Sequence, residues 1–209
     1  MTKKAIIFDM DGTLSNTAIA TLAAYHMAAE KLPIPKVTIQ QIENAMGLGG
    51  LEFHENVLPG TDIEILKKVE QFVDIQEDKN ITELGKSILF DGVYEMLEKL
   101  FSEGYQLHIA STGNESHVMT TLNATDIKKF FTSINHSEPQ KKDMVRKIIT
   151  TYGNPDEPGN WIMVGDMFKD SEAAHANNIT AVGAAFGYLS EEDYSLFDVI
   201  LDTPQDIFR

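Results

Sequence analysis

Ala5-Ile6-Ile7-Phe8-Asp9-Met10-Asp11-Gly12-Thr13 is the stretch whose reading decides the fold. Four consecutive apolar residues that stop at a pair of aspartates read as a short strand covered on both faces, because strands buried on two sides lose the alternation of polar and apolar positions. Residues two apart on an extended chain face the same way, so Asp9 and Asp11 are expected to leave together from the carboxyl end of that strand, where open α/β sheets place their ligands. Two carboxylates about 4 Å apart repel by roughly 4 kcal/mol at an effective dielectric of about 20. Such a pair calls for a positive charge beside it.

The same kind of apolar run recurs at Leu107-Ala110, Trp161-Val164, Thr180-Gly183 and Val199-Leu201. Helix-period stretches lie between or beside these runs, at Val93-Glu103, Glu115-Leu122, Lys142-Tyr152 and Ser171-Asn177, and strand-helix repetition implies a parallel sheet with right-handed crossovers. From Thr17 to Lys86 no convincing strand is found. Helical spacing there covers Thr17-Leu32, Ile39-Met46, Leu51-Val57 and Asp62-Gln76, separated by Leu-Pro-Ile-Pro, Gly-Leu-Gly-Gly and Leu-Pro-Gly. The expectation is an α/β core of residues 1–16 and 87–209, Rossmann-like with a parallel sheet, carrying an all-α cap of residues 17–86.

A second acidic pair follows Trp161-Val164, in Val164-Gly165-Asp166-Met167-Phe168-Lys169-Asp170. Asp166 is expected at the strand end and Asp170 in the first turn of the next helix. If the two strands are neighbours, four carboxylates converge, an oxygen-rich and thiol-free set that suits Mg²⁺. Two further pieces fit a phosphoryl-transfer site. Ser111, Thr112 and Gly113 run from a strand into a helix, offering a hydroxyl and backbone N–H groups to an anion. Lys141-Lys142 open another helix and offer the cation that a transferring phosphoryl group needs.

The bulk numbers bound the rest. The chain has 209 residues, a formal charge of −15 and no cysteine. Cysteine-ligated metal and thiol chemistry are excluded, and a reducing cytoplasm is the expected setting. The acidic surface argues against nucleic acid. The N-terminus reads as neither signal peptide nor anchor, and no run of about 18 apolar residues predicts a membrane partner. Monomer is the default. From Asp9 an EF-hand would need Gly at Leu14 and Glu at Ala20, and Gly85-Lys86-Ser87 lacks both the first glycine and the strand of a nucleotide-binding loop.

The four pieces, in this order and spacing, resemble the haloacid dehalogenase superfamily, closest to its branch of phosphoglycolate-phosphatase-like and β-phosphoglucomutase-like proteins with a helical cap. That resemblance implies an aspartyl-phosphate mechanism on a small phosphomonoester of the phosphoglycolate, sugar-phosphate or nucleotide class. Asp9 is then the nucleophile, Asp11 the general acid and later base, and Ser111, with Thr112 and Gly113, the phosphoryl-binding segment. Lys141, favoured over Lys142 by the family pattern in Lys141-Lys142-Asp143-Met144-Val145-Arg146, neutralises the phosphoryl oxygens. Magnesium is bound by Asp9, Asp11 through its backbone carbonyl, Asp166 and Asp170. Relatives often carry Asp before Ser or Thr where this chain has Asn16-Thr17, a departure that bears on substrate orientation. A hexose-phosphate mutase and a non-catalytic binding module are the alternatives. Of the histidines, His108 and His175 are read as structural or solvent-facing, as is any other without metal-ligand spacing; Tyr25, His26 and His54 of the cap are candidates for touching substrate.

Overall fold

The computed structural model describes residues 5–138, 140–153 and 158–209; Pro139, just before the lysine pair, lies outside them. Six parallel strands form one sheet in the order β3-β2-β1-β4-β5-β6. They are β1 Ala5–Phe8, β2 Gln106–Ala110, β3 Ser133–Asn135, β4 Trp161–Gly165, β5 Thr180–Ala184 and β6 Val199–Leu201. The strand carrying the first acidic pair is central and buried throughout. It pairs with β2 on one side and β4 on the other, in a register that puts Phe8 opposite both Ile109 and Val164. Asp9 and Asp166 therefore leave the same sheet edge from neighbouring strands.

The pleat divides the core. Ile6, Phe8, Leu107, Ile109 and Val164 face one layer with α5 (Val93–Ser102) and α6 (Glu115–Ala124). Ala5, Ile7, Met163 and Ala181 face the other, with α7 (Lys141–Tyr152) and α8 (Phe168–Ala176). Strand β3 was not anticipated from the sequence. It is a three-residue, partly exposed edge strand reading Ser-Ile-Asn, too short and too polar to show an apolar run.

Between β1 and α5 the chain is helical: α1 Ala18–Ala29, α2 Ile39–Ala45, α3 Leu51–Val57 and α4 Ile63–Leu84. These helices bury their own cluster, including Tyr25, Ile42, Val57, Leu66, Val69 and Val73. Helix α4 begins where Asp62 accepts a hydrogen bond from the Glu64 N–H at 2.9 Å and runs well past the expected Gln76. Neither Gly nor Pro interrupts it until Gly85, whose φ of 54° ends it, and the continuation is anchored by Ile81, buried against Ala20 and Ile88. The chain leaves and re-enters the core side by side: the Asn16 N–H donates to Ile88 O at 2.7 Å and the Phe90 N–H to Leu14 O at 3.1 Å. Among the described residues no helix is long and apolar enough to cross a membrane.

Candidate functional site

Asp9 sits one residue beyond β1, its N–H donating to Val164 O at 2.9 Å, and its side chain is buried. Lys141, the first residue of α7, reaches it from below the sheet edge. Its ammonium lies 2.8 Å from Asp9 Oδ2 and 2.7 Å from Asp170 Oδ1. Lys142 points elsewhere, 4.0 Å from Glu172 at the surface. Asp170, fully buried in the first turn of α8, spends its second oxygen on the N–H groups of Asp166 and Met167, at 3.2 and 3.0 Å. Asp166 is held through Oδ1 by the Thr13 hydroxyl at 2.5 Å. Its Oδ2 is buried with no hydrogen-bond partner.

Oxygens of Asp9, Asp166 and Asp170 lie within 4.8 Å of one another. Burial pushes Asp9 up to about 7, against the pull of Lys141, and raises Asp166 well above the usual carboxylate range. A hard cation is what a buried carboxylate pair with an orphaned oxygen lacks, so the donor set fits a divalent ion. Gly12 makes the approach possible. With φ at 80°, it lies where any Cβ would overlap Asp166 Oδ2 and the Tyr188 ring.

The expected fourth carboxylate does not join this cluster. Asp11 turns its side chain toward the cap, where Oδ1 accepts from the Thr17 hydroxyl at 2.7 Å and from His117 Nε2 at 2.9 Å. Burial opposes ionisation of Asp11, but the charge and hydrogen bonds of His117 win and hold it below the ordinary range. His117 is in turn raised to about 10 despite its burial, because Asp11 and Glu77 both face it. Its Nδ1 lies 3.7 Å from Glu77 Oε2 on α4, so one imidazolium joins core to cap.

Ser111, Thr112 and Gly113 form the turn from β2 into α6. The Ser111 side chain is buried, its N–H donates to Asn135 O, and its hydroxyl accepts from the Gly113 N–H at 3.1 Å. Asn114 caps α6 by accepting from the His117 N–H at 2.9 Å. At the opposite wall the glycine loop Gly47-Leu48-Gly49-Gly50 comes down over the core, tied by Lys169, whose ammonium donates to Gly47 O at 2.7 Å. A cavity of about 390 Å³ lies between these walls; Asp9, Asp11, Ser111, Thr112 and Gly113 line its floor and side.

Of the cap candidates, His54 lines this cavity. Tyr25 stands behind it, its hydroxyl 2.6 Å from His54 Nδ1, and His26 instead bonds Val37 O at 2.9 Å. Asn16 Oδ1 accepts from the Tyr188 hydroxyl at 2.7 Å, which also accepts from the Ala18 N–H. The amide at this position fixes the start of α1 rather than entering the cavity. Three groups escaped the sequence reading: Thr13, His117 and Glu77. For His117 the available signal was its place in the first turn of a helix that follows a buried strand; for Glu77 it was a run of acidic residues on one face of α4.

Known proteins share the family and the fold. The family model described as haloacid dehalogenase-like hydrolase matches residues 6–184. A 5'-nucleotidase of Pseudomonas aeruginosa is 23% identical over 90% of this chain and 85% of its own length. Pyrophosphatase PpaX of Listeria monocytogenes is 25% identical over 97% of this chain and 93% of its own. The crystal structure of a predicted phosphoglycolate phosphatase from Haemophilus somnus superposes with a TM-score of 0.87 at 22% identity, covering 100% of this chain and 97% of that one. With most of its length matched by the family model and its parallel sheet and helical cap in place, the chain belongs to the haloacid dehalogenase-like hydrolases.

Proposed function

We propose that this chain is a magnesium-dependent phosphatase that moves the phosphoryl group of a small phosphomonoester onto Asp9 and then to water. The observation that carries the reading is Lys141 bridging Asp9 and Asp170 beside the unpartnered Asp166 Oδ2, with Asp9 itself lining the cavity. Asp9 Oδ2 is occupied by Lys141, which orients the carboxylate and leaves Oδ1 for attack on phosphorus. As the new Oδ1–P bond forms, the ester P–O bond breaks and the departing alcohol takes a proton from Asp11. In the second step water adds to phosphorus, Asp11 takes its proton, and the bond to Asp9 breaks to release inorganic phosphate.

His117 holds Asp11 in the basic form that this second step needs. A bound phosphoryl dianion works in the opposite direction and favours the protonated form required first. Ser111 and the N-terminal turn of α6 supply donors for the phosphoryl oxygens. Asp9, Asp166 and Asp170, with the backbone carbonyl of Asp11, are the groups that would hold Mg²⁺, whose charge offsets that of the phosphoryl oxygens. On this reading Asp170 supports the ion through Asp166 and Lys141 as much as by direct contact. Residues 17–86 form the cap over a core of residues 1–16 and 87–209, and the protein works as a cytoplasmic monomer on a small molecule, without nucleic-acid or membrane partners.

The test is release of inorganic phosphate from p-nitrophenyl phosphate with Mg²⁺, compared with chelator-treated protein and with Asp9→Asn. Turnover that needs the ion and vanishes in the variant is expected. Undiminished release by Asp9→Asn would sink the proposal, and interconversion of hexose 1- and 6-phosphates without net release would point to a mutase.

A further inference from the structure

On the phosphatase reading the phosphoryl group is met on the core side, by Lys141, Ser111 and the α6 N-terminus, so the alcohol portion lies against the cap. Met46, Leu48, Phe53 and Val73 give that wall apolar surface, and His54 and Asp74 give it polar groups. The charges nearby are otherwise engaged. Glu77 takes the Thr21 hydroxyl and faces His117, and the Lys169 ammonium is spent on Gly47 O at 2.7 Å.

The hydrogen bonds of His54 fix its tautomer. The residue is 3% exposed, and burial keeps the imidazole neutral, pulling it down to about 4, so one ring nitrogen carries a hydrogen and the other accepts. The Tyr25 hydroxyl, on a fully buried side chain, lies 2.6 Å from Nδ1 and has no other hydrogen-bond partner among the described residues. Its hydrogen would be stranded unless it pointed at Nδ1, so the tyrosine donates and Nε2 holds the ring hydrogen. That N–H is unspent among the described residues. Asp74 Oδ1 stands 3.9 Å away, too far to accept it, and Asp74 lines the same cavity.

We propose that the His54 N–H and the Asp74 carboxylate together read one hydroxyl of the leaving group, so that the substrate is the phosphomonoester of a polyol. The inference rests on the phosphatase reading and narrows it. An oxygen about 2.8 Å from each partner spans the 3.9 Å gap at an angle of roughly 90°. A hydroxyl fits there because it accepts from Nε2 and donates to Asp74 at once. An ammonium satisfies Asp74 but sets a donor against the N–H. A carboxylate takes the N–H but brings a like charge to Asp74, and an alkyl chain leaves both groups desolvated and unpaired.

The terminal phosphates of glycerol, erythritol and ribitol, each paired with the propyl, butyl or pentyl phosphate of the same chain length, offer hydroxyls at graded distances from phosphorus. With Mg²⁺, kcat/KM for the best polyol should exceed that of its alkyl partner by about 30-fold, mostly through KM. Asp74→Ala should bring that ratio within about threefold. Asp74→Asn, which keeps an acceptor, should retain about tenfold. Tyr25→Phe/His54→Phe removes the N–H without stranding the tyrosine hydroxyl, and should match Asp74→Ala. Because both groups act through one hydroxyl, combining the two sets should lower the ratio little further. The proposal is overturned if no polyol exceeds its alkyl partner, if the preference survives in Asp74→Ala, or if the two sets add in full. Failure to release phosphate from any compound, p-nitrophenyl phosphate included, would overturn the phosphatase reading instead. Calorimetric binding of the same pairs to Asp9→Asn would then decide the hydroxyl reading alone, equal binding or none within every pair overturning it.

Discussion

The two walls of the cavity are built by opposite means. On and directly behind the core wall every group is fixed by backbone: Asp9 and Asp166 step off adjacent paired strands, Lys141 and Asp170 stand in the first turns of α7 and α8, and their contacts are 2.5–3.2 Å. On the cap wall Glu70, Asp74 and His54 sit on helices and make longer or no mutual contacts. The core pairs its negative charge with a buried cation. The cap leaves His54 and Asp74 without a direct bond between them. Chemistry that requires placement to a fraction of an ångström is thus carried by the sheet, and recognition, which tolerates more slack, by the helices.

The comparison breaks first if the core wall can lose a member and still work. Asp9→Asn removes the nucleophile while keeping shape, and hydrolysis should fall by about 10⁴-fold or more with the fold retained, as read by phosphate release and circular dichroism. Lys141→Ala should cost about 10³-fold in kcat and destabilise the fold as well, because Asp9 and Asp170 would share a buried site without their cation. The neighbouring Lys142→Ala should stay within about twofold, since its ion pair with Glu172, at 4.0 Å, is exposed. Equal losses in the two lysine variants would remove the distinction that the buried triad draws.

The same division explains what the sequence could disclose. Strand β1 and its aspartates were legible because a strand covered on both faces writes a continuous apolar run, and the two-residue repeat then fixes which side chains leave together. Asp166 was legible by the same rule on β4. The choice of Lys141 over Lys142 came from family likeness and not from periodicity, which cannot say which of two adjacent lysines turns inward at a helix start. Strand β3 was hidden because an edge strand of Ser, Ile and Asn has one covered side and no apolar pattern. The partner of Asp11 was hidden for another reason: the direction of its side chain depends on Thr17 and His117, residues 6 and 106 positions away, and no local spacing encodes that meeting. The acidic face of α4 was written in the sequence, yet which way it points follows only from how α4 packs on α1.

Acid offers a way to load the two walls separately. His108 in β2 and His54 in α3 are both buried and neutral, each lowered by burial from 6.5 to about 4. A lowered histidine binds its proton more readily in the unfolded chain, so the stability it allows is complete above about pH 6.5 and is lost as pH falls toward 4. For His108 the full loss is roughly 3 kcal/mol. Its ring lies 5.4 Å from that of Trp161, the chain's one tryptophan, so tryptophan fluorescence reports the core while helical circular dichroism is weighted toward the cap. In His108→Gln the fluorescence midpoint should depend less on pH between 6.5 and 4 than in wild type. His54→Gln should leave that fluorescence dependence nearly as it was, and a parallel response of both probes in both variants would mean that the walls unfold as one.

The smallest effect tests the group at which the walls meet. His117 Nε2 donates to Asp11 on the core and Nδ1 faces Glu77 on the cap, so its removal should loosen Asp11 without touching the nucleophile. His117→Ala is expected to lower kcat by about tenfold with little change in KM for p-nitrophenyl phosphate, since Asp11 acts on the leaving oxygen and not on phosphate binding. His117→Gln keeps a donor within reach of Asp11 but not the charge, and should recover part of the loss near neutral pH. The pH profile separates positioning from bulk. Without the imidazolium Asp11 is no longer held below its ordinary range, so the acidic limb of kcat should move to higher pH in both variants. An acidic limb that stays fixed while kcat falls would make His117 a packing residue, and would leave the cap with no direct hold on the chemistry beneath it.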